Sequence, residues 1–414
     1  MSYNSKKYWT YISNGITETG NIFLNECKNV FKDSGVLLIL IIAGLTYPIL
    51  YNFVYLNENI PDTAVAVIDR SDSYESHRFI RELDATREVK VIRVPDMLEA
   101  RKLFVNRDVH AILIFPGDYS AKIAARDQTT ISLYVNMSCF MVYKSVALAV
   151  NMVMLDEGKA IQLQRYNTLG MTDEQSKQMV KALPYEETML NNPGNGFSSF
   201  FVPAILMIII HQLLFLGIGM MAGTEREENI NMKLFSKYLG QRGIYRVVIG
   251  KACAYFFIYS FVASYIALLV PRMFNIPHIG NVWEIYSLLF PFLLATIFFS
   301  ITASIFIKNR ETGLVSFLFF SVILVFLSGC TWPETHFPLF WKYFAYIFPS
   351  TFGVRGYIKL NSMGATLSQI RFEYIALWIQ VFIYFILACV VTRVKLLNEK
   401  RRKERIEKGD NLLR

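Results

Sequence analysis

The chain has few residues that could hold a metal or build a reactive site, and these are scattered. Its five cysteines, Cys27, Cys139, Cys253, Cys330 and Cys389, share no metal-type spacing. Only Cys139 falls between residues 57 and 195, so that stretch has no internal disulfide. The five histidines are isolated. No Walker A sequence is present. Gly250-Lys251 comes nearest, but Tyr245 stands where the leading glycine belongs. Without a phosphate-cradling loop the chain does not hydrolyse ATP alone. No Ser/His/Asp or Cys/His set is discernible, and Glu186-Glu187 sits in a linker-like stretch that reads as solvated surface. The expectation is no catalytic residue, no metal and no enzyme activity.

Charge is also sparse where it would matter. Charged residues make up 18% of the chain, and the long apolar runs hold almost none. His211 lies inside one run, and Lys251 and Glu284 lie near run ends. A proton-coupled or ion-driven transporter needs a buried ionisable relay, so that class is disfavoured. His211 reads as a helix–helix hydrogen bond. The net charge of +9 could signal nucleic-acid binding, but nine Lys/Arg fall in Arg393–Arg414. Residues 57–195 carry 16 basic and 19 acidic side chains, a slight acidic excess. Basic residues beside an apolar run mark a cytoplasmic membrane face instead.

What the chain has in abundance is apolar length. One run, Gly35–Val54, is followed by soluble-looking sequence and then by five more runs. A bilayer core needs about 20 apolar residues per helix. The predicted spans are 35–55, 198–222, 246–270, 283–307, 313–330 and 372–392. The first is read as an uncleaved anchor, because about 34 residues precede it and no A-x-A-like site follows it. The fold class is therefore an α-helical polytopic membrane protein with six transmembrane helices and an inserted extracytoplasmic α/β domain.

Loop charge sets the expected orientation. Arg226, Lys233, Lys237, Arg242 and Arg246 follow the second span, and Lys308 and Arg310 follow the fourth. With the basic tail 393–414 they define the cytoplasmic side, which places both termini there. Residues 1–34 form an amphipathic segment, with Ile16, Ile22, Phe23, Cys27, Val30 and Phe31 near helical spacing. A helix flat in the interface and a helix packed on the rest of the protein fit this pattern equally.

The insertion, 57–195, alternates strand and helix patterns. Strands are predicted at Thr63–Asp69, Val89–Val94, Ala111–Phe115 and Thr130–Val135. Ser73 is the expected N-cap of a helix carrying Phe79, Ile80 and Leu83, and a second helix follows Pro95. Two later helices, 140–166 and 172–181, lead back to the spans. Such alternation predicts a small α/β domain with a partly parallel sheet.

Two segments stand out within the five-helix region 198–392. Thr224 with Glu227 three residues on reads as a capping box, and Glu225, Glu227 and Glu228 would favour the dipole of a new helix at about 223–240. Such a helix, held parallel to the membrane, could transmit force to a cytoplasmic partner. Further on, Gly329, Pro333 and Pro338 interrupt helix in an apolar context. Trp332, Phe337, Trp341, Tyr343 and Tyr346 form an aromatic belt. A re-entrant segment at about 327–356 is the expectation, with an interfacial loop as the alternative.

At this point the chain resembles a permease subunit of the type-2 ATP-binding-cassette (ABC) transporter family, in the branch with a large extracytoplasmic insertion after the first span. The resemblance rests on Glu225-Arg226-Glu227 after span two and on Leu327-Ser328-Gly329-Cys330-Thr331-Trp332-Pro333 after span five. Phe348-Pro349-Ser350-Thr351 with Val354-Arg355-Gly356 completes it. Glu228-Asn229 departs from the basic or glycine residue and Thr more often found there. The resemblance implies an exporter permease in the cell inner membrane that forms the translocation pathway. Its partners would be an ABC ATPase, a second permease chain (homodimer or paralogous heterodimer) and membrane lipids, with a periplasmic adaptor as a further option and no nucleic acid. ATP and Mg would be bound by the ATPase and no cofactor by this chain. Thr224, Glu225, Arg226, Glu227 and Glu228 would form the coupling helix. Ser328, Gly329, Trp332, Pro333, Pro338 and Arg355 would form the outer gate. The alternative is a membrane-anchored sensor or assembly factor with a ligand- or partner-binding outer domain. It explains the insertion well and five clustered spans badly.

Overall fold

A computed structural model describes residues 3–58, 60–180, 188–192, 194, 196–228 and 243–412. The chain divides into two compact units, residues 1–56 with 198–414, and residues 57–197.

In the first unit six helices are long and apolar enough to cross a membrane. An N-terminal helix, α1 (Tyr3–Lys32), precedes them. Asp33 then breaks the chain, and its carboxylate accepts the Gly35 and Val36 N–H groups to cap the first span, α2 (Ser34–Val54). The next three spans are α8 (Phe197–Glu227), α9 (Ile244–Met273) and α10 (Val282–Ala303). The last two are α11 (Arg310–Leu327) and α14, which runs from Arg371 to Leu412 without a break into the basic tail. Helix α8 is the central rod, with side chains buried all round it from Val202 to Met221. An all-round apolar helix is a buried one. Because bundle ends alternate along the chain, Asp33, Glu227, Arg310 and the end of α14 share one end, the basic end. The opposite end carries Trp332 and Trp341, both exposed, and is the aromatic end.

One face of α1 packs on α9, where Ile22 and Val247 are buried and Phe23 meets Phe257 edge to face at 6.0 Å. Of the two expectations for this segment, packing on the protein holds for that face. Ile16, Leu24 and Phe31 on other faces remain exposed.

The second unit is a four-stranded sheet in the order β2 (Val89–Arg93), β1 (Thr63–Asp69), β3 (Ala111–Phe115), β4 (Ser132–Val135). Strand β1 is parallel to β2 and β3, and β4 is antiparallel to β3. Helix α3 (Tyr74–Asp84), capped by Ser73, packs Phe79, Ile80 and Leu83 on one face together with α6 (Phe140–Thr168). Helix α5 (Tyr119–Ala125) joins that layer through Tyr119. Helix α4 (Met97–Asn106) covers the other face with Ala100 and Leu103. Arg78 on α3 forks onto Glu157 of α6, with Nε donating to Oε1 at 2.7 Å. The short α7 (Asp173–Val180) follows.

Candidate functional site

Two side-chain clusters lie at the ends of the bundle. The first sits at the basic end, where α8 meets α1, α2, α9 and α11. Here one expectation needs correction. Thr224 and Glu227 do not cap a new helix, because α8 continues through Glu227. Their side chains are taken by tertiary partners. The Thr224 hydroxyl donates to Asp33 Oδ2 at 3.2 Å, and Glu227 Oε1 accepts the Arg310 backbone N–H at 3.0 Å. The Arg310 guanidinium closes the ring onto Asp33 Oδ1 at 2.8 Å. Burial acts to raise the Asp33 carboxyl, but the Val36 N–H, Arg310 and Thr224 together hold it below the ordinary carboxylate range. Gly223 is needed for this approach, since a Cβ there would lie 2.7 Å from the Arg310 backbone N. Arg226 donates to the Ile307 carbonyl. Glu228 is exposed, and its N–H bonds the Thr224 carbonyl. The remainder of the expected coupling helix, 229–242, lies outside the described residues.

Glu225 faces inward and is buried. Lys251 of α9 donates to it, and Lys251 Nζ also lies 3.5 Å from Glu26 Oε2 on α1. Glu26 takes a second hydrogen bond from the Tyr255 hydroxyl at 2.7 Å. Two carboxylates thus share one ammonium. Burial pushes the Glu26 carboxyl up to about 7, against the pull of Lys251. The cluster borders a cavity of about 60 Å³, which Arg226, Ser304 and Lys395 also line. That is room for a few waters.

The second cluster lies toward the aromatic end. Helix α11 stops at Leu327, and Ser328 donates to the Val325 carbonyl at 2.7 Å. Gly329 then turns the chain at φ +82°, a conformation that favours glycine. Pro333 precedes a short 3-10 turn, Glu334–His336, and Pro338 precedes α12 (Leu339–Ala345). Helix α13 (Pro349–Asn361) follows and is buried along most of its length. Trp332 stands exposed in this segment.

The segment enters the bundle rather than lying across it. The Ile347 carbonyl accepts the Tyr384 hydroxyl, and the Tyr346 carbonyl accepts the Gln380 amide at 2.8 Å. Both donors sit on α14 well inside its apolar stretch. At the other end of α13, Asn361 binds the loop before α10, its carbonyl accepting the Ile279 N–H at 2.9 Å. Chain that bends at membrane depth survives only when protein covers it, and here α8, α10 and α14 do so. Arg355 on α13 ion-pairs with Glu334, its guanidinium 5.8 Å from the centre of the Tyr346 ring. Tyr346 donates to the same carboxylate at 2.5 Å. Burial opposes ionisation of Glu334, but Tyr346 and Arg355 keep it below its usual range. Arg355 Nε also lies 3.6 Å from where a Gly329 side chain would begin.

The sequence reading missed Glu26, Asp33, Arg310 and Glu334. The available signal was Lys251, a charge at a span edge that requires a partner. In the second unit, Asp69, Asp72 and His77 bring potential ligand atoms within 4.8 Å of one another. Asp69 is already engaged by the Ser71 and Asp72 N–H groups and the Ser76 hydroxyl, so the group reads as the turn after β1.

The family model described as ABC-2 family transporter protein matches residues 34–390, which takes in the aromatic-end cluster and all of the basic-end cluster except Glu26, Asp33 and Lys395. No curated protein matches the chain.

Proposed function

The chain belongs to the ABC-2 family of transporter proteins, a multi-pass membrane permease of an ABC system, and on that premise we propose that it forms the export pathway and couples it to a separate ATPase at the basic end. The family match over 34–390 carries this reading. The basic end is then cytoplasmic, because it gathers Arg226, Arg246, Lys308, Arg310 and the basic tail. The insertion stands on the opposite side. Two permease chains and two ATPases make the working unit, in the cell inner membrane.

The chemistry of each end suits its part. At the basic end, the ring Asp33–Thr224–Glu227–Arg310 ties the end of α8 to the starts of α2 and α11. A push on the chain after Glu227 therefore reaches three spans at once. Glu225 and Lys251 extend that grip to α9, and Glu26 extends it to α1. At the aromatic end, α13 and the Gly329 turn form the gate, held closed by Arg355 on Glu334. ATP bound by the partner ATPase supplies the energy, and no residue of this chain performs chemistry.

The test is co-expression with an ABC ATPase subunit from the same genome, followed by reconstitution in liposomes. ATP hydrolysis that appears only when both chains are present supports the reading. A kinase-like neighbour and no ATPase would favour the sensor instead.

A further inference from the structure

The two clusters lie at opposite ends of one rod, and the His211 side chain joins that rod to the gate by a hydrogen bond. His211 is fully buried in α8, 16 residues before Glu227, which at a rise of about 1.5 Å per residue is roughly 24 Å along the helix. Its Nδ1 accepts the backbone N–H of Ser350 at 3.1 Å. Ser350 lies in the first turn of α13, where N–H groups have no partner within their own helix. Phe348, the N-cap residue, offers no side-chain cap, and Pro349 has no N–H. A residue 139 positions away in sequence therefore performs the capping that the local sequence does not.

That cap carries a cost of its own. His211 Nε2 is buried without a hydrogen-bond partner, and the ring edge rests on Phe299 at 5.5 Å. An apolar side chain would remove that atom but would leave the Ser350 N–H without its cap. The histidine also has a fixed tautomer: a ring nitrogen that accepts carries no proton, so Nε2 holds it. The junction before α13 is gripped from the other side as well, since Tyr384 and Gln380 of α14 bind the Ile347 and Tyr346 carbonyls. The start of α13 thus hangs between α8 and α14, and the His211 bond ties it to the helix that ends in Glu225, Arg226 and Glu227.

We propose that His211 is a positioning residue through which α8 seats and moves the start of α13, so that displacement of the basic end of α8 reaches the gate. This inference rests on the permease reading above and specifies how its two ends communicate.

Cys330, buried beside Gly329, supplies the reporter. The other four cysteines are replaced by alanine in the full chain, which is reconstituted with its ATPase. Alkylation of Cys330 by a small maleimide is timed with and without vanadate-trapped nucleotide. In the wild-type background trapping should change the rate about fivefold or more, the lower range of ordinary allosteric coupling. His211→Leu should bring that ratio close to one while ATP hydrolysis persists. His211→Asn, whose Oδ1 lies near the position of Nδ1, should restore it. Hydrogen exchange at the Ser350 amide of the purified chain should accelerate severalfold in His211→Leu and not in His211→Asn, as expected for loss of one hydrogen bond.

A full nucleotide response in His211→Leu would overturn the inference and leave the permease reading intact. So would an Asn variant that protects the Ser350 amide yet loses the response. A wild-type complex that hydrolyses ATP but shows no nucleotide response at Cys330 would overturn the inference alone, and a chain that assembles with no ATPase would remove the coupling reading and this inference with it.

Discussion

Lys251 of α9 reaches Glu26 of α1, with Nζ 3.5 Å from Oε2, while its principal partner is Glu225 of α8. One ammonium therefore holds three helices together in a buried site, and its two carboxylates are not equivalent to it. Losing Lys251 strands two buried acids, whereas losing one acid leaves an ordinary pair. Lys251→Met should cost about 3–5 kcal/mol, the usual penalty for orphaning a buried charge. Glu26→Gln should cost far less. Thermal denaturation of the detergent-solubilised chain checks the order, and equal losses in the two variants would contradict it.

The same cluster predicts a pH dependence. Folding raises the Glu26 carboxyl from 4.5 to about 7, so the folded chain holds a proton that the unfolded chain has lost. Stability should then fall as pH rises from about 4.5 to about 7, with the loss complete above the folded value. Glu26→Gln should flatten that part of the profile. A Tm profile against pH, wild type against Glu26→Gln, measures this, and parallel profiles would assign the slope to other groups.

Charge changes in α8 should separate by burial. Glu225 faces Lys251, so Glu225→Lys would place two ammonium groups together in a buried site and lower the yield of folded protein. Glu227 is exposed and accepts the Arg310 backbone N–H. Glu227→Ala should leave folding within about 1 kcal/mol, the scale of one hydrogen bond, and lower substrate-stimulated ATP hydrolysis in the complex. Unchanged stimulation would take Glu227 out of the coupling path.

At the gate, Gly329→Leu would add a side chain at φ +82° with Arg355 Nε 3.6 Å from its Cβ. Backbone strain of this kind costs about 1–3 kcal/mol. Export should stop while basal ATP hydrolysis continues, because the change lies far from the ATPase. Arg355→Ala removes the ion pair but leaves Glu334 its Tyr346 hydroxyl, so export should become leaky rather than stop. Wild-type export in both variants would reduce this segment to structural filler.

Much of this architecture was legible in the sequence, and the exceptions share a cause. Six apolar runs specify six spans because lipid admits no other solution, and Ser73 and the strand runs specify the insertion through local capping and periodicity. Thr224-x-x-Glu227 has the form of a capping box, yet α8 runs on through it because Asp33 and Arg310, distant in sequence, take those side chains. Lys251 announced the need for a partner but not which one, since Glu26 lies 225 residues earlier. His211 read correctly as a helix–helix hydrogen bond, but its partner is a backbone N–H, which no side-chain pattern can reveal. The helix break of the proposed gate was marked by Gly329, Pro333 and Pro338, whereas the pairing of Arg355 with Glu334 emerged only from the fold.

The central claim is that this chain is the membrane half of an ATP-driven exporter, and one measurement addresses it directly. The chain and an ABC ATPase subunit from the same genome are reconstituted in liposomes, together and separately, and ATP hydrolysis is timed. The account predicts that the chain alone hydrolyses nothing, that the complex does, and that Glu227→Ala weakens its response to substrate. A chain that binds no ATPase and leaves the hydrolysis rate unchanged would contradict it.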